Sequence, residues 1–363
     1  MASSAGALVL AAGLLCLSGC ANLGYYWQSA AGHLKIMQAA RPVEDWLGDT
    51  TAPQRLKDRL ALSQRIREFA SREMRLPDNP SYRRYADLQR SAVVWNVVAA
   101  PEFSIKLKTW CFPFTGCVGY RGYFDEAEAR AEAAVQAADG LESSVYPVPA
   151  YSTLGWMNWA GGDPLLNTFI NYPEGELARL IFHELAHQVV YARDDTMFNE
   201  SFATAVERLG IVRWLATDAP ESARRDYAEH STRRSQFRAL THGTRKKLEA
   251  IYDAKGPAAP DRAAQAVQKE EAMRQFRDQY TQLRAGWGGD PARWRNYDLW
   301  VSRANNASFG AQAAYDELVP GFEGLFQSVG GDWVRFYDEA RRLAAVPKAE
   351  RHQFLKQKET PRA

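Results

Sequence analysis

The segment LIFHELAHQVVYARDDTMFNESFATAVE, residues 180–207, sets two histidines four positions apart with a glutamate directly after the first. An α-helix advances 100° per residue, so His183 and His187 project from one face, one turn apart, and both imidazoles can reach a single metal ion. Glu184 lies close enough in angle to face water held by that ion, but it cannot replace either histidine. This is the donor set of metal-assisted hydrolysis: two nitrogens, and a carboxylate that takes a proton from the attacking water. A catalytic zinc needs a third protein ligand and one open position. One solution places a glycine and then a third histidine shortly after the helix; Val190 and Arg193 stand there instead, which excludes it. The other is a glutamate on a following helix. If the first helix runs four or five residues past His187 and "RDD" turns the chain, with Asp194 or Asp195 capping the next helix, an antiparallel return brings Glu200 to the level of His187. Glu207 lies two turns deeper and overshoots, which suits a partner behind the ligands. The competing reading is an amphipathic helix with two satisfied core histidines beside an exposed carboxylate.

These residues need rigid elements to hold them. Pro173, with Glu174 and Glu176 in the first turn, fits a helix start, and Leu180, Ile181, Leu185 and Val189 give a buried face. The expected motif helices are residues 173–192 and roughly 196–215. Upstream, residues 51–74 repeat Leu56, Leu60, Leu62, Ile66 and Phe69 at helical spacing, and Pro77 and Pro80 end the run. Residues 91–153 turn to β-branched and aromatic runs punctuated by Gly and Pro, read as strands, interrupted by the Ala- and Glu-rich helix "DEAEARAEAAVQAADG". Residues 217–283 read as a charged helical hairpin with a loop at "AKGPAAPD", followed by two or three more helices. No internal repeat or long low-complexity linker divides the chain.

The N-terminus has a different texture. "MASSAGALVLAAGLLCLSGC" is an apolar run of signal-peptide length, too short to span a membrane with anchored flanks. It ends in Leu17-Ser18-Gly19-Cys20, which resembles the bacterial lipobox. This predicts removal of residues 1–19, a lipid on Cys20 as the membrane anchor, and a periplasm-facing position in the cell envelope; Ala21 favours the outer membrane. Cys111 and Cys117 flank a turn containing Pro113 and Gly116, which predicts a disulfide in an oxidising compartment. The remaining composition is that of a globular chain: 363 residues, 46% hydrophobic and 24% charged. A net charge of +2 offers no bulk attraction to nucleic acid, and no nucleic-acid partner is expected.

The pattern "FHELAHQ…FNESFA…VE" resembles the gluzincin metallopeptidases. The whole chain, through "GCANLGYYWQSAAGHL", "RLPDNPSYRRYADL", "SAVVWNVVAAPEFS", "WCFPFTGCVGYRGYF", "AYSTLGWMNW" and "NNASF", resembles a bacterial family of predicted aminopeptidase lipoproteins. The resemblance implies an α+β, zincin-like core with a small mixed sheet and additional, mostly helical segments. The expected organisation is a signal peptide over 1–19, a tether and first helix over 20–50, one peptidase domain over 51–345 and a C-terminal tail over 346–363. It further implies one Zn2+ per chain on His183, His187 and Glu200, with Glu184 as general base and then acid, acting on a peptide or protein substrate. Aminopeptidase, envelope endopeptidase and non-catalytic zinc-containing binding module are the three functional readings. The donor to the developing oxyanion stays open among Tyr191, Tyr151, Tyr297 and Tyr315. Asn199 is a candidate to order the ligand segment, and Asn305 and Asn306 to cap a helix or line the cleft.

Overall fold

A computed structural model describes residues 24–113, 115–150, 152–254 and 260–358. The signal sequence and Cys20 lie outside the described residues, as does Tyr151. Helix α1 (residues 24–39) leads to β1 (Arg41–Pro42) and α2 (Val43–Gly48). Next, α3 (Gln54–Met74) starts after Pro53 and stops at Arg75, whose φ of 57° breaks the helix. Its periodic residues Leu60, Ile66 and Phe69 are fully buried, as the spacing predicts.

Among the described residues the strands form three small sheets, one of them the small mixed sheet expected. The strands β2 (Arg84–Ala86) and β8 (Leu165–Leu166) join β1 in the order β1-β2-β8, antiparallel and then parallel. The longest strands, β3 (Val94–Pro101) and β7 (Leu141–Val148), form an antiparallel sheet with β6 (Arg121–Tyr123), ordered β6-β3-β7. The pair β4 (Trp110–Phe112) and β5 (Gly116–Val118) is a separate hairpin. Most of these strands are two or three residues long, too short to merge into a common sheet. β3 is buried on both faces from Val94 to Ala100 because α4 (Glu126–Ala138) packs on it as well as α10 (Asn306–Ala314). β7 lies at the sheet's end and runs out toward the helices that carry the histidine–glutamate motif.

Those helices are α5 (Glu174–Ala186) and α6 (Thr196–Thr217), packed side by side and against α3. Gly210 of α6 makes this contact possible: a β-carbon there would lie 2.2 Å from the Met74 side chain of α3 and 3.0 Å from Phe182 of α5. The charged hairpin α7 (Glu221–Tyr252) and α8 (Arg262–Ala285) then crosses, followed by α9 (Arg295–Arg303), α10, α11 (Val319–Ser328), α12 (Trp333–Ala345) and α13 (Lys348–Gln357). The tail expected over 346–363 thus begins with a packed helix. Leu355 is fully buried on α11, and α13 brings Lys348, Arg351 and His352 to the buried Asp195 carboxylate at 3.7, 3.7 and 2.8 Å. No helix of the described residues is long and apolar enough to cross a membrane.

Candidate metal centre

The first motif helix ends earlier than its sequence pattern suggests. α5 stops at Ala186 with His187 as its C-cap, and the chain leaves through turns at 187–189 and 193–194 instead of continuing as a helix to Ala192. Two β-branched residues follow, Val189 and Val190, with Val190 buried. The segment is then fixed by Asn199, whose side chain accepts from Ala192 N at 2.7 Å and donates to Ala192 O at 2.8 Å. Asp194 takes a φ of 65°, a conformation Asp tolerates better than most residues, and Asp195 caps α6 by accepting from Phe198 N. Glu200 therefore reaches the histidines through a short run of turns, not by the longer helix pictured from spacing.

The three donors converge. His183 Nε2 and His187 Nε2 are 3.2 Å apart, and Glu200 Oε2 lies 3.3 and 3.7 Å from them. Ligands about 2.0–2.2 Å from a tetrahedral zinc are separated by about 3.3 Å from one another. The spacing of this His183–His187–Glu200 group, which is mostly buried, therefore fits such an ion, and the group could hold one. Behind the ligands, Glu207 meets His183 Nδ1 at 3.2 Å. A carboxylate there fixes the ring and leaves Nε2 for the metal. Glu207 also pairs with Arg179, Arg179 meets Glu176 at 3.1 Å, and Arg234 grips Glu176 with two bonds of 2.7 Å.

Electrostatics follow from this crowding. Burial opposes charge on Glu207, but Arg179 and His183 outweigh it and hold its carboxyl down at about 2. Burial also opposes charge on Glu200; the two imidazoles and a hydrogen bond from Tyr315 overcome it, so that carboxyl lies below its ordinary value. The histidines split. Burial lowers His187 to about 4, whereas hydrogen bonds to Glu200 and Glu207 outweigh burial at His183 and lift it to about 10. Glu184 has no such pair, and burial pushes its carboxyl up to about 7.

His183 and Glu184 open onto a cavity of about 460 Å3, walled on one side by Val148, Pro149 and Ala150 at the end of β7. Tyr315 lines it too, and its ring stacks on His183 with centroids 6.2 Å apart. Among the candidate tyrosines, Tyr191 donates instead to Thr115 O at 3.2 Å, tying the segment to the β4–β5 hairpin. Tyr297 packs on Phe237 with centroids 4.8 Å apart, at the far wall. Asn305 caps α10 through Ser308 N, and the Asn306 side chain donates to the carbonyls of Pro101 and Glu102. Cys111 and Cys117 are directly opposed across β4–β5 and disulfide-bonded. Sequence reasoning missed Arg179, Arg208, Arg234 and Arg238, all in the cavity wall. Arg179 carried a usable signal, since it precedes His183 by one helical turn on the same face.

A family model described as "Putative aminopeptidase" matches residues 24–355. The chain belongs to this family. Membership supports a peptidase in general, and the match covers every element that builds the metal group. No curated protein and no solved structure matches the chain.

Proposed function

We propose that the protein is a zinc-dependent peptidase of gluzincin type, removing residues from the N-terminus of peptides. The observation that carries this reading is the convergence of His183, His187 and Glu200 beside a buried Glu184 that lines an open cavity. A zinc ion held there would supply a Lewis acid for the scissile carbonyl and lower the pKa of the attacking water to about 7. Glu184 Oε then accepts the water proton and returns it to the leaving amine; burial, which favours the protonated carboxyl, eases its acceptance of that proton. Glu207 holds the His183 ring through Nδ1. Tyr315 offers its hydroxyl to the developing oxyanion from the cavity wall. Extended substrate backbone can lie along the end of β7 at Val148–Ala150, as an added strand.

We further propose that the mature chain is anchored through lipid on Cys20 and faces the periplasm. The Cys111–Cys117 bond supports an oxidising compartment.

Glu184→Gln tests the reading. It keeps the metal ligands and shape but cannot take the proton, so zinc should stay bound while peptide hydrolysis falls by about 10²–10⁴-fold. Peptides with free N-termini should be cut and their acetylated counterparts spared. Cutting of both would make the enzyme an endopeptidase. Full zinc with no cleavage across a broad panel would leave a binding module.

A further inference from the structure

The cavity beside His183 and Glu184 has a charged wall that the hydrolytic chemistry leaves unused. Four arginines line it: Arg179, Arg208, Arg234 and Arg238. Two are consumed, Arg179 by Glu207 and Glu176 and Arg234 by Glu176. The other two converge on one carboxylate, with Asp316 2.8 Å from Arg208 and 3.0 Å from Arg238. Arg208 has a second, longer contact to Glu323 at 3.8 Å. Arg238 spends its Nε on Asp316, and neither of its terminal nitrogens makes a hydrogen bond among the described residues. A guanidinium carries five donors in a planar fork, so Arg238 retains the edge that matches a carboxylate.

Position adds to the charge count. Asp316 follows Tyr315, which stacks on His183, and Arg208 follows Glu207, which touches His183 Nδ1. Along the chain, this corner is therefore one residue from each of the two groups that frame the His183–His187–Glu200 group. Burial, and then the like charge of Arg208, weakens the hold of Arg238 on its proton, with Asp316 and Glu207 opposing them. A cavity of about 460 Å3 falls in the usual range for a bound small molecule and has room for only a few peptide residues.

We propose that Arg238, assisted by Arg208, binds a substrate carboxylate, and that this is the free C-terminus of a short peptide. The inference rests on the peptidase reading of the same cavity. An acidic side chain presents the same group, but a site this small next to the hydrolytic centre favours the chain end. The enzyme then discriminates for length, because a long chain has no terminal carboxylate within reach of Arg238.

The test uses the zinc-loaded full chain with alanyl-alanyl-phenylalanine, its C-terminal amide, and the amide of alanyl-alanyl-aspartate. The free acid should exceed the phenylalanine amide by about tenfold or more in kcat/KM, mainly through KM, and Arg238→Met should lose that preference. Arg208→Met, with melting temperature as the check on folding, should weaken it. Equal rates on acid and amide overturn the carboxylate site and leave the peptidase reading standing. An aspartate amide cut as well as the free acid overturns the chain-end assignment. If nothing is hydrolysed, calorimetry on Glu184→Gln decides: tighter binding of the acid than of its amide upholds the site while the hydrolytic reading falls, and equal binding overturns it.

Discussion

Tyr315 illustrates what a single residue can add to a metal group. Its ring lies over His183 and its hydroxyl bonds to Glu200, while its exposed part faces both the 460 Å3 cavity and a second cavity of about 590 Å3 behind it. Burial, reinforced by the Glu200 charge, keeps the hydroxyl protonated far beyond neutral pH, so it stays a donor throughout the working range. Turned from Glu200 toward the negative charge that develops, this donor would stabilise the transition state more than the substrate. Tyr315→Phe should therefore lower kcat by about 10²–10³-fold with little change in KM and unchanged zinc content. A loss expressed only in KM would make Tyr315 a binding surface. The grouping of His183, His187 and Glu200 was legible from spacing within twenty-eight residues. Tyr315 was not, because it arrives from a distant helix and the sequence holds other tyrosines with equal claims.

At the scale of elements, the site depends on a turn. The segment between α5 and α6 is clamped from one side by the β4–β5 hairpin: Asp194 accepts from Cys117 N at 2.6 Å, Thr196 from Gly119 N at 3.4 Å, and Tyr191 donates to Thr115 O. From the other side α13 delivers Lys348, Arg351 and His352 to Asp195, the N-cap of the helix that carries Glu200. The disulfide closes the hairpin that does the clamping. Replacing both Cys111 and Cys117 by Ser should cost about 2 kcal/mol of stability, as expected for closing so short a loop. It should also weaken zinc binding by about tenfold, since the support behind the ligands loosens. Lost stability with unchanged zinc affinity would show that the hairpin does not position the metal group. The sequence carried the disulfide, the helical hairpin and the α4 helix, each announced by local pattern. It did not carry the early end of α5 or the docking of α13. The first depends on the Asn199–Ala192 bonds, and the second on a carboxylate 153 residues before the start of that helix.

For the whole molecule, the site lies between the edges of the two largest of four apolar clusters among the described residues. The larger gathers α3, α5, α6, α11 and α12, including Phe69, Phe182, Phe202 and Phe336; the smaller, rich in aromatics, lies under α7, α8 and α9, with Phe237, Trp287 and Trp294. The first supplies His183, Glu184 and Glu207 to the cavity, and the second supplies Phe237 and Tyr297 to its far wall. Helix propensity and local pattern mark the helices of both clusters, but not which of their charged edges will meet. That is why Arg208, Arg238 and Asp316 could be found only in the folded chain. The central claim is that one metal ion is held by residues from two helices, and metal content tests it most directly. Purified in the presence of zinc and then dialysed, the wild-type chain should retain one zinc, and His187→Ala and Glu200→Ala, each still folded by circular dichroism, should retain essentially none. A wild-type chain that keeps no zinc, or a His187→Ala chain that keeps a full equivalent, would contradict the account.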